Sequence, residues 1–195
     1  MNLRLEFRIA RALITPDGKY VVYHAADRIA MLVPLQPRGS AAPLLPDLKG
    51  QVSDVDLSPD GRWIAFESNE SNRFEIYVRP FPSVNAGRWQ ISSNGGQHPL
   101  WSRDGRELFF IAADGTMMTV PVPPIQPGAP FTHERPVKLF PAGHFFVNVA
   151  RNYDVTPDGK GFIMVRNTIT SERQSIAVVT NWFAEVRAQV QAAQR

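Results

Sequence analysis

The sequence predicts an all-β protein built from four copies of one unit, and three observations carry this prediction. The chain of 195 residues contains 17 prolines and 13 glycines, as expected for many tight turns between short elements. Apolar and polar residues alternate in short runs that are rich in β-branched and aromatic side chains. One turn recurs four times, three times as Pro-Asp-Gly and once as Arg-Asp-Gly, each time between two such runs.

The four turns recur at the spacing of one β-propeller blade. They begin the stretches "TPDGKYVVYHA", "SPDGRWIAFES", "SRDGRELFFIA" and "TPDGKGFIMVR", and their aspartates are 43, 44 and 54 residues apart in the chain. A four-stranded blade is about 40–45 residues long. We therefore predict four blade-like units near residues 1–50, 51–96, 97–143 and 144–180, forming a small propeller or part of a larger ring.

The strands of each unit follow from the same alternation. The second unit contains "SDVDL", "RWIAFES", "FEIYVRPF" and "RWQIS", and the third contains "HPLWS", "ELFFIA", "TMMTVPV" and "VKLF". The first unit contains "ALIT", "YVVYHA", "IAMLVPL" and a weaker strand near "APLLP", and the fourth contains "NYDVT", "GFIMVR" and "SIAVVTNW". Alternation also predicts which side chains pack between neighbouring blades, namely Trp63, Ala65, Phe109, Phe162 and Met164.

The repeated turn has the chemistry of a structural element. Proline presets the second position of a type I turn, aspartate hydrogen-bonds to the local backbone, and glycine takes the left-handed conformation that ends a three-residue loop. Equivalent turns of successive blades lie around a ring, which argues against a shared metal or catalytic acids. We interpret as scaffold Asp17, Gly18, Asp60, Gly61, Asp104, Gly105, Asp158 and Gly159.

Two segments depart from the repeat. The third unit contains the proline-rich insertion "PVPPIQPGAPFTHERP", which we expect to form an exposed, partly extended loop. Residues 181–195 change to helical spacing of apolar residues, which predicts a short amphipathic C-terminal helix that docks on the last blade.

Composition excludes several functions. The net charge is +3 and the positive residues are scattered singly, so we predict no nucleic-acid partner. The absence of cysteine removes disulfides, thiol nucleophiles and cysteine metal sites, and we expect no metal and no cofactor. The chain shows neither the apolar core of a signal peptide nor an apolar run long enough to span a bilayer, so the compartment is not predicted.

Candidate binding residues lie ahead of each repeated turn. The loops that enter the innermost strands of a propeller meet at one mouth of the central channel. The residues expected there are Gln51, Ser53, Asp54, Gln97, His98, Arg151, Asn152 and Tyr153. An arginine and a histidine in this polar ring suit a peptide carboxylate or another acidic ligand. The alternative is that these are ordinary solvated loop residues.

The repeats resemble a known family. The block running from "LSPDGRWIAFES" to "GRELFFIAADGTMMTVPV", with "NYDVTPDGKGFIMV" and "IAVVTNWFAEV" after it, resembles the TolB-like, WD-type propeller repeats at the C-terminus of certain bacterial serine/threonine protein kinases. The resemblance covers most of residues 52–186. It implies a sensory or protein-binding propeller outside the cytoplasm, attached through a membrane helix to a kinase. The chain itself lacks the glycine-rich phosphate loop and the HRD and DFG motifs of a kinase.

These observations predict a non-catalytic interaction or sensory module that binds a protein or a peptide. TolB-type rings usually contain six or more blades, so four repeats leave blade faces that permit self-association. The alternative is the gating propeller of a prolyl-oligopeptidase-like hydrolase that lacks its catalytic domain. No "G-x-S-x-G" nucleophile motif is present in the chain, so we predict no enzymatic activity of its own.

Overall fold

Strands form nearly all the regular structure of the computed structural model, which describes residues 12–24, 29–142, 151–166 and 175–179. A single 3-10 turn, Val84–Ala86, is the other regular element of the described residues. The strands are β1 Ala12–Ile14, β2 Tyr20–His24, β3 Ala30–Pro34, β4 Ala42–Pro43, β5 Val52–Leu57, β6 Trp63–Ser68, β7 Glu75–Pro80, β8 Trp89–Gln90, β9 Gly96–Trp101, β10 Glu107–Ala112, β11 Thr116–Pro121, β12 Val137–Pro141, β13 Tyr153–Val155, β14 Phe162–Arg166 and β15 Ser175–Val179.

The strands form four antiparallel sheets, each made of strands consecutive in the chain. We name them blade 1 (β1–β4), blade 2 (β5–β8), blade 3 (β9–β12) and blade 4 (β13–β15). The all-β prediction is confirmed, and every predicted strand overlaps an observed one. The predicted helix at 181–195 lies outside the described residues.

The blades pack face to face, and one apolar cluster fills each contact between them. Val22 and Ala30 of blade 1 meet Ile64 and Phe66 of blade 2. A second cluster joins blades 2 and 3 through Trp63, Ala65, Trp101, Leu108 and Phe110. A third joins blades 3 and 4 through Phe109, Ile111, Tyr153, Phe162 and Met164. We call these contacts seams, and the five side chains predicted to pack between blades all lie in them.

Strand alternation explains how one blade serves two seams. On β6, Ile64 and Phe66 point toward blade 1 while Trp63 and Ala65 point toward blade 3. Every residue of β6 is buried, because both faces of this middle strand are covered. Such two-sided burial produces the continuous apolar runs seen in the sequence.

The repeated turns have the predicted chemistry and one added feature. In blade 2, Gly61 has φ +69° and its N–H donates to the Ser58 carbonyl at 2.8 Å. Asp60 accepts from the Ser58 hydroxyl at 2.6 Å and from the Arg62 N–H at 3.1 Å. The loop encloses four residues rather than the predicted three, since Ser58 N–H pairs with the Trp63 carbonyl.

Successive turns also touch one another. A Cβ atom added at Gly61 would lie 3.3 Å from Cδ of Pro16, and one added at Gly105 would lie 3.5 Å from Cδ of Pro59. In the third turn Arg103 replaces the proline, and its guanidinium reaches the Val155 carbonyl of blade 4 at 3.5 Å. The second position of the turn therefore contacts the next blade in the first three copies.

The proline-rich segment is irregular as predicted, but one residue anchors it. Phe131 is buried, with its ring 5.1 Å from Trp63, 5.6 Å from Trp89 and 6.1 Å from Trp101 between centroids. Arg62 of blade 2 also donates to the Ile125 carbonyl at 2.9 Å. This loop of blade 3 thus crosses onto blade 2 and stabilises their seam.

Gly61→Val tests the turn and its contact with the preceding blade. A β-branched residue at positive φ should lower the free energy of unfolding by about 1–3 kcal/mol. Gly159→Val is the matched control, because Gly159 has φ +69° but no atom of the described residues lies within 4 Å of its added Cβ. Urea denaturation should show a larger loss for Gly61→Val, and equal losses would contradict the contact between turns.

Candidate binding site at the channel mouth

The innermost strands of blades 2, 3 and 4 begin side by side, and two of them carry a bulge at the same repeat position. The pairing of β5 with β6 shifts between Val52 and Val55, and that of β9 with β10 shifts around His98. Asp54 and His98 occupy these bulges. His98 has φ +59°, which is uncommon for a residue other than glycine. The bulges turn both side chains into one buried polar cluster.

Three carboxylates of blade 2 accept backbone N–H groups from the two blades that follow. Glu67 accepts from the His98 N–H at 2.5 Å, and Asp56 accepts from the Trp101 N–H at 2.9 Å. Asp54 accepts from the Arg151 N–H at 3.2 Å. Since blades pack face to face, these amides have no neighbouring strand to pair with, and the carboxylates supply the acceptors.

Side chains of blades 3 and 4 complete the network. The Tyr153 hydroxyl donates to the His98 carbonyl at 2.5 Å. The Arg151 guanidinium donates to the Pro99 carbonyl at 2.8 Å and to the Tyr153 carbonyl at 3.1 Å, and it lies 3.4 Å from Asp56. His98 Nδ1 lies 3.3 Å from Asp54 Oδ2. We call these six residues the inner network: Asp54, Asp56, Glu67, His98, Arg151 and Tyr153.

Burial changes the acid–base properties of this network. Removal from solvent raises the pKa of Glu67 to about 7, and the negative charge of the neighbouring Asp54 raises it further. The His98 side chain and backbone N–H act in the opposite direction and lower this pKa. Burial also raises the pKa of the Tyr153 hydroxyl. Glu67 therefore holds a proton up to near neutral pH.

The structure separates the predicted site residues into two groups. Asp54, His98, Arg151 and Tyr153 come together in the inner network. The others lie close to these residues in the sequence, and we call them the rim residues: Gln51 is exposed, and Ser53, Gln97 and Asn152 are half-buried. Asn152 donates its side-chain amide to the Val165 carbonyl at 3.3 Å.

Sequence reasoning missed Asp56 and Glu67. The signal for Asp56 is present in "SDVDL", where two acidic residues interrupt a strand expected to be apolar. The signal for Glu67 is weaker, because an acidic residue near the end of a strand is ordinarily solvated.

The geometry limits the chemistry available at the mouth. The hypothesis of an acidic ligand depended on Arg151 and His98, and both side chains are bonded inside the protein. Arg151 donates to two carbonyls and lies beside Asp56, and His98 is buried beside Asp54. The described residues contain no cluster of histidine and carboxylate side chains arranged to hold a metal. In the same part of the chain, no helix has the length and apolar character needed to cross a bilayer.

A groove of about 270 Å³ lies at the other mouth, beside the repeated turns. Its walls are Trp63, the Asp60–Arg62 pair, Asp104 and the prolines at 123 and 124. The carboxylates there are bonded within their own turns, Asp60 to Ser58 and Arg62, and Asp104 to Ser102.

Glu67→Gln tests the protonated state of Glu67. The pKa of Glu67 is higher in the folded state than in the unfolded state, so protonation of Glu67 stabilises the fold at low pH. This stabilisation is lost as the pH rises toward and through about 7. Relative to Glu67→Gln, the native protein should therefore lose on the order of 3 kcal/mol of unfolding free energy between pH 4.5 and pH 8. The check is urea denaturation of both proteins across this range, and parallel pH profiles would contradict it.

Comparison with known proteins places the fold. No known family model matches the chain. The chain is 26% identical to an uncharacterized protein of Agrobacterium fabrum over 108 residues, which are 55% of this chain and 37% of that protein. It is 32% identical to dipeptidyl-peptidase 5 of Trichophyton equinum in an alignment 125 positions long that covers 58% of this chain and 16% of the peptidase. The chain thus spans well under half the length of these relatives.

Solved structures give the same architecture. TolB from Acinetobacter baumannii matches 90% of this chain and 41% of its own, with a TM-score of 0.59 and 17% identity. The β-propeller domain of Myceliophthora thermophila Cps50 (Swd1) matches 92% of this chain and 59% of its own, with a TM-score of 0.60 and 14% identity. The chain has the fold of TolB-like and WD40-like β-propellers, which confirms the predicted fold class. The link to a kinase stays a prediction.

Proposed function

We propose that the chain is a non-catalytic β-propeller module that binds a protein or peptide segment at the channel mouth. The observation that carries this proposal is the convergence of three blades there. Blades 2, 3 and 4 contribute the inner network, and the rim residues Gln51, Gln97 and Asn152 lie within three positions of network residues in the sequence. A site held by several rigid elements presents its groups in fixed positions, which is a requirement of specific recognition.

The chemistry of the rim favours a peptide backbone over an acidic group. Side-chain amides both donate and accept hydrogen bonds, as the peptide group does. The guanidinium of Arg151 is bonded inside the network, so it adds no free charge for a carboxylate. An extended, uncharged peptide segment is therefore the ligand class that we propose.

A peptide-display experiment tests this proposal. A phage library of linear peptides is panned on the immobilised chain, and a selected peptide is titrated calorimetrically against three proteins. The variant Gln51→Ala/Gln97→Ala should weaken binding about tenfold or more, because two polar partners are lost. Arg106→Ala is the control, since this residue is exposed beside the groove at the other mouth.

Two outcomes would overturn the proposal. One is the recovery of no peptide above the background of an uncoated surface. The other is a peptide whose affinity falls in Arg106→Ala and not in the rim variant, which would place recognition at the turn side of the ring.

A second candidate function is the propeller of a peptidase, and the match to dipeptidyl-peptidase 5 favours it. Under this hypothesis the propeller admits substrate to a catalytic domain that these 195 residues do not contain. Purification of the full gene product distinguishes the two. A joined or tightly bound hydrolase domain that cleaves dipeptides from a peptide substrate would support the peptidase, and its absence would support the binding module.

A further inference from the structure

The groove beside the second and third repeated turns has the size of a site for one small molecule. We call it the turn-side groove, and its volume is about 270 Å³. Pockets for drug-sized ligands measure about 300–1,000 Å³, so this groove suits a smaller ligand. Arg62 fixes one wall, because its guanidinium donates to Asp60 at 2.7 Å and to the Ile125 carbonyl at 2.9 Å. The second turn and the proline-rich segment are thereby held together, and the groove lies between them and the third turn.

One side of the turn-side groove is apolar. Trp63 and Val122 line it and are buried, Ile125 is half-buried, and the prolines at 123 and 124 are exposed. Contact between this side and an apolar group of a ligand removes both surfaces from water, which is favourable. The apolar side therefore suits an aliphatic or aromatic side chain.

The third turn adds one unpaired charge of each sign. Arg106 stands at the repeat position of Lys19 and Arg62, which pair with the aspartates of their own turns at 3.4 Å and 2.7 Å. Among the described residues, the Arg106 guanidinium has no such ion pair. Asp104 uses Oδ1 to accept from the Ser102 hydroxyl at 2.7 Å and from the Arg106 N–H at 3.1 Å. Its Oδ2 has no hydrogen bond within the same part of the chain.

We propose that the turn-side groove binds a free α-amino acid with an apolar side chain. Arg106 donates to the carboxylate of the ligand, since a guanidinium bonds a carboxylate through two parallel N–H groups. Asp104 Oδ2 accepts from the ammonium group of the ligand in a charge-assisted hydrogen bond. The side chain of the ligand packs against Trp63 and the two prolines.

The balance of charge favours a zwitterion over an ion of one sign. The charged groups that line the groove are Asp60, Arg62, Asp104 and Arg106, and their formal charges cancel. A phosphate group would meet two carboxylates there, and a polyamine would meet two guanidinium groups. An α-amino acid meets one unpaired group of each sign on one turn. A residue inside a peptide chain has neither charge, so this site is separate from the peptide site of the channel mouth.

Calorimetric titration with L-leucine, L-phenylalanine and three related compounds tests the ligand class. Leucine and phenylalanine should bind, and glycine should bind about tenfold more weakly or worse because it has no side chain for the apolar wall. N-acetyl-leucine lacks the ammonium charge and leucine amide lacks the carboxylate charge, so each should also lose about tenfold or more in affinity. Equal affinity of the free and the capped forms would overturn the proposal.

Variants of the third turn test the two protein groups. Arg106→Ala and Asp104→Asn should each weaken leucine binding about tenfold or more. Asparagine keeps the Oδ1 acceptor of the turn, so Asp104→Asn removes the charge and leaves the hydrogen bonds to Ser102 and the Arg106 N–H. Lys160→Ala is the matched control, because Lys160 is exposed at the same repeat position in blade 4 but does not line the groove.

Three results with these proteins would overturn the proposal. They are the absence of binding of leucine and phenylalanine at millimolar concentration, an unchanged affinity in Arg106→Ala, and an equal loss of affinity in Lys160→Ala. The rim variant Gln51→Ala/Gln97→Ala should bind the amino acid as the native protein does. Failure of the turn-side site and failure of the peptide site are therefore distinguishable.

Discussion

The inner strand of each blade is an edge strand, and the N–H groups on its free side need acceptors. A neighbouring blade packs by its face and offers no strand to pair with. Blade 2 meets this requirement with Asp54, Asp56 and Glu67, which accept N–H groups from the inner strand of blade 3 and the entry of blade 4. A buried N–H left unpaired costs about 1–3 kcal/mol, so the position of three blades around the channel depends on these carboxylates.

The same arrangement accounts for both the seams and the mouth. Once the inner strands are fixed, alternation along the middle strands places apolar side chains on both faces of blades 2 and 3, and each seam fills with them. The network also holds the guanidinium of Arg151 inside the protein, where it donates to the Pro99 and Tyr153 carbonyls. The contacts that hold the blades together therefore also determine which polar groups the proposed site presents.

The sequence predicts what is encoded locally. Turns, strands and the packing of Trp63 or Phe162 follow from residues close in the chain, through turn chemistry and a period of two. Asp56, Glu67 and Phe131 escape such reasoning because their partners lie in other repeats; Asp56 and Trp101 are 45 positions apart. Asp54, His98, Arg151 and Tyr153 contact one another in the structure, but their spacing in the sequence does not show that their polar groups are bonded inside the protein.

Residue-resolved amide hydrogen exchange in Asp56→Ala tests the central role of the blade 2 carboxylates most directly. The Trp101 amide should exchange much faster than in the native protein, while the Leu108 amide of the middle strand β10 should change far less. Asp56→Asn, which keeps an acceptor, should preserve most of the protection of Trp101. An unchanged Trp101 rate in Asp56→Ala would contradict this role of Asp56, because the inner strand of blade 3 would then hold its position without the carboxylate.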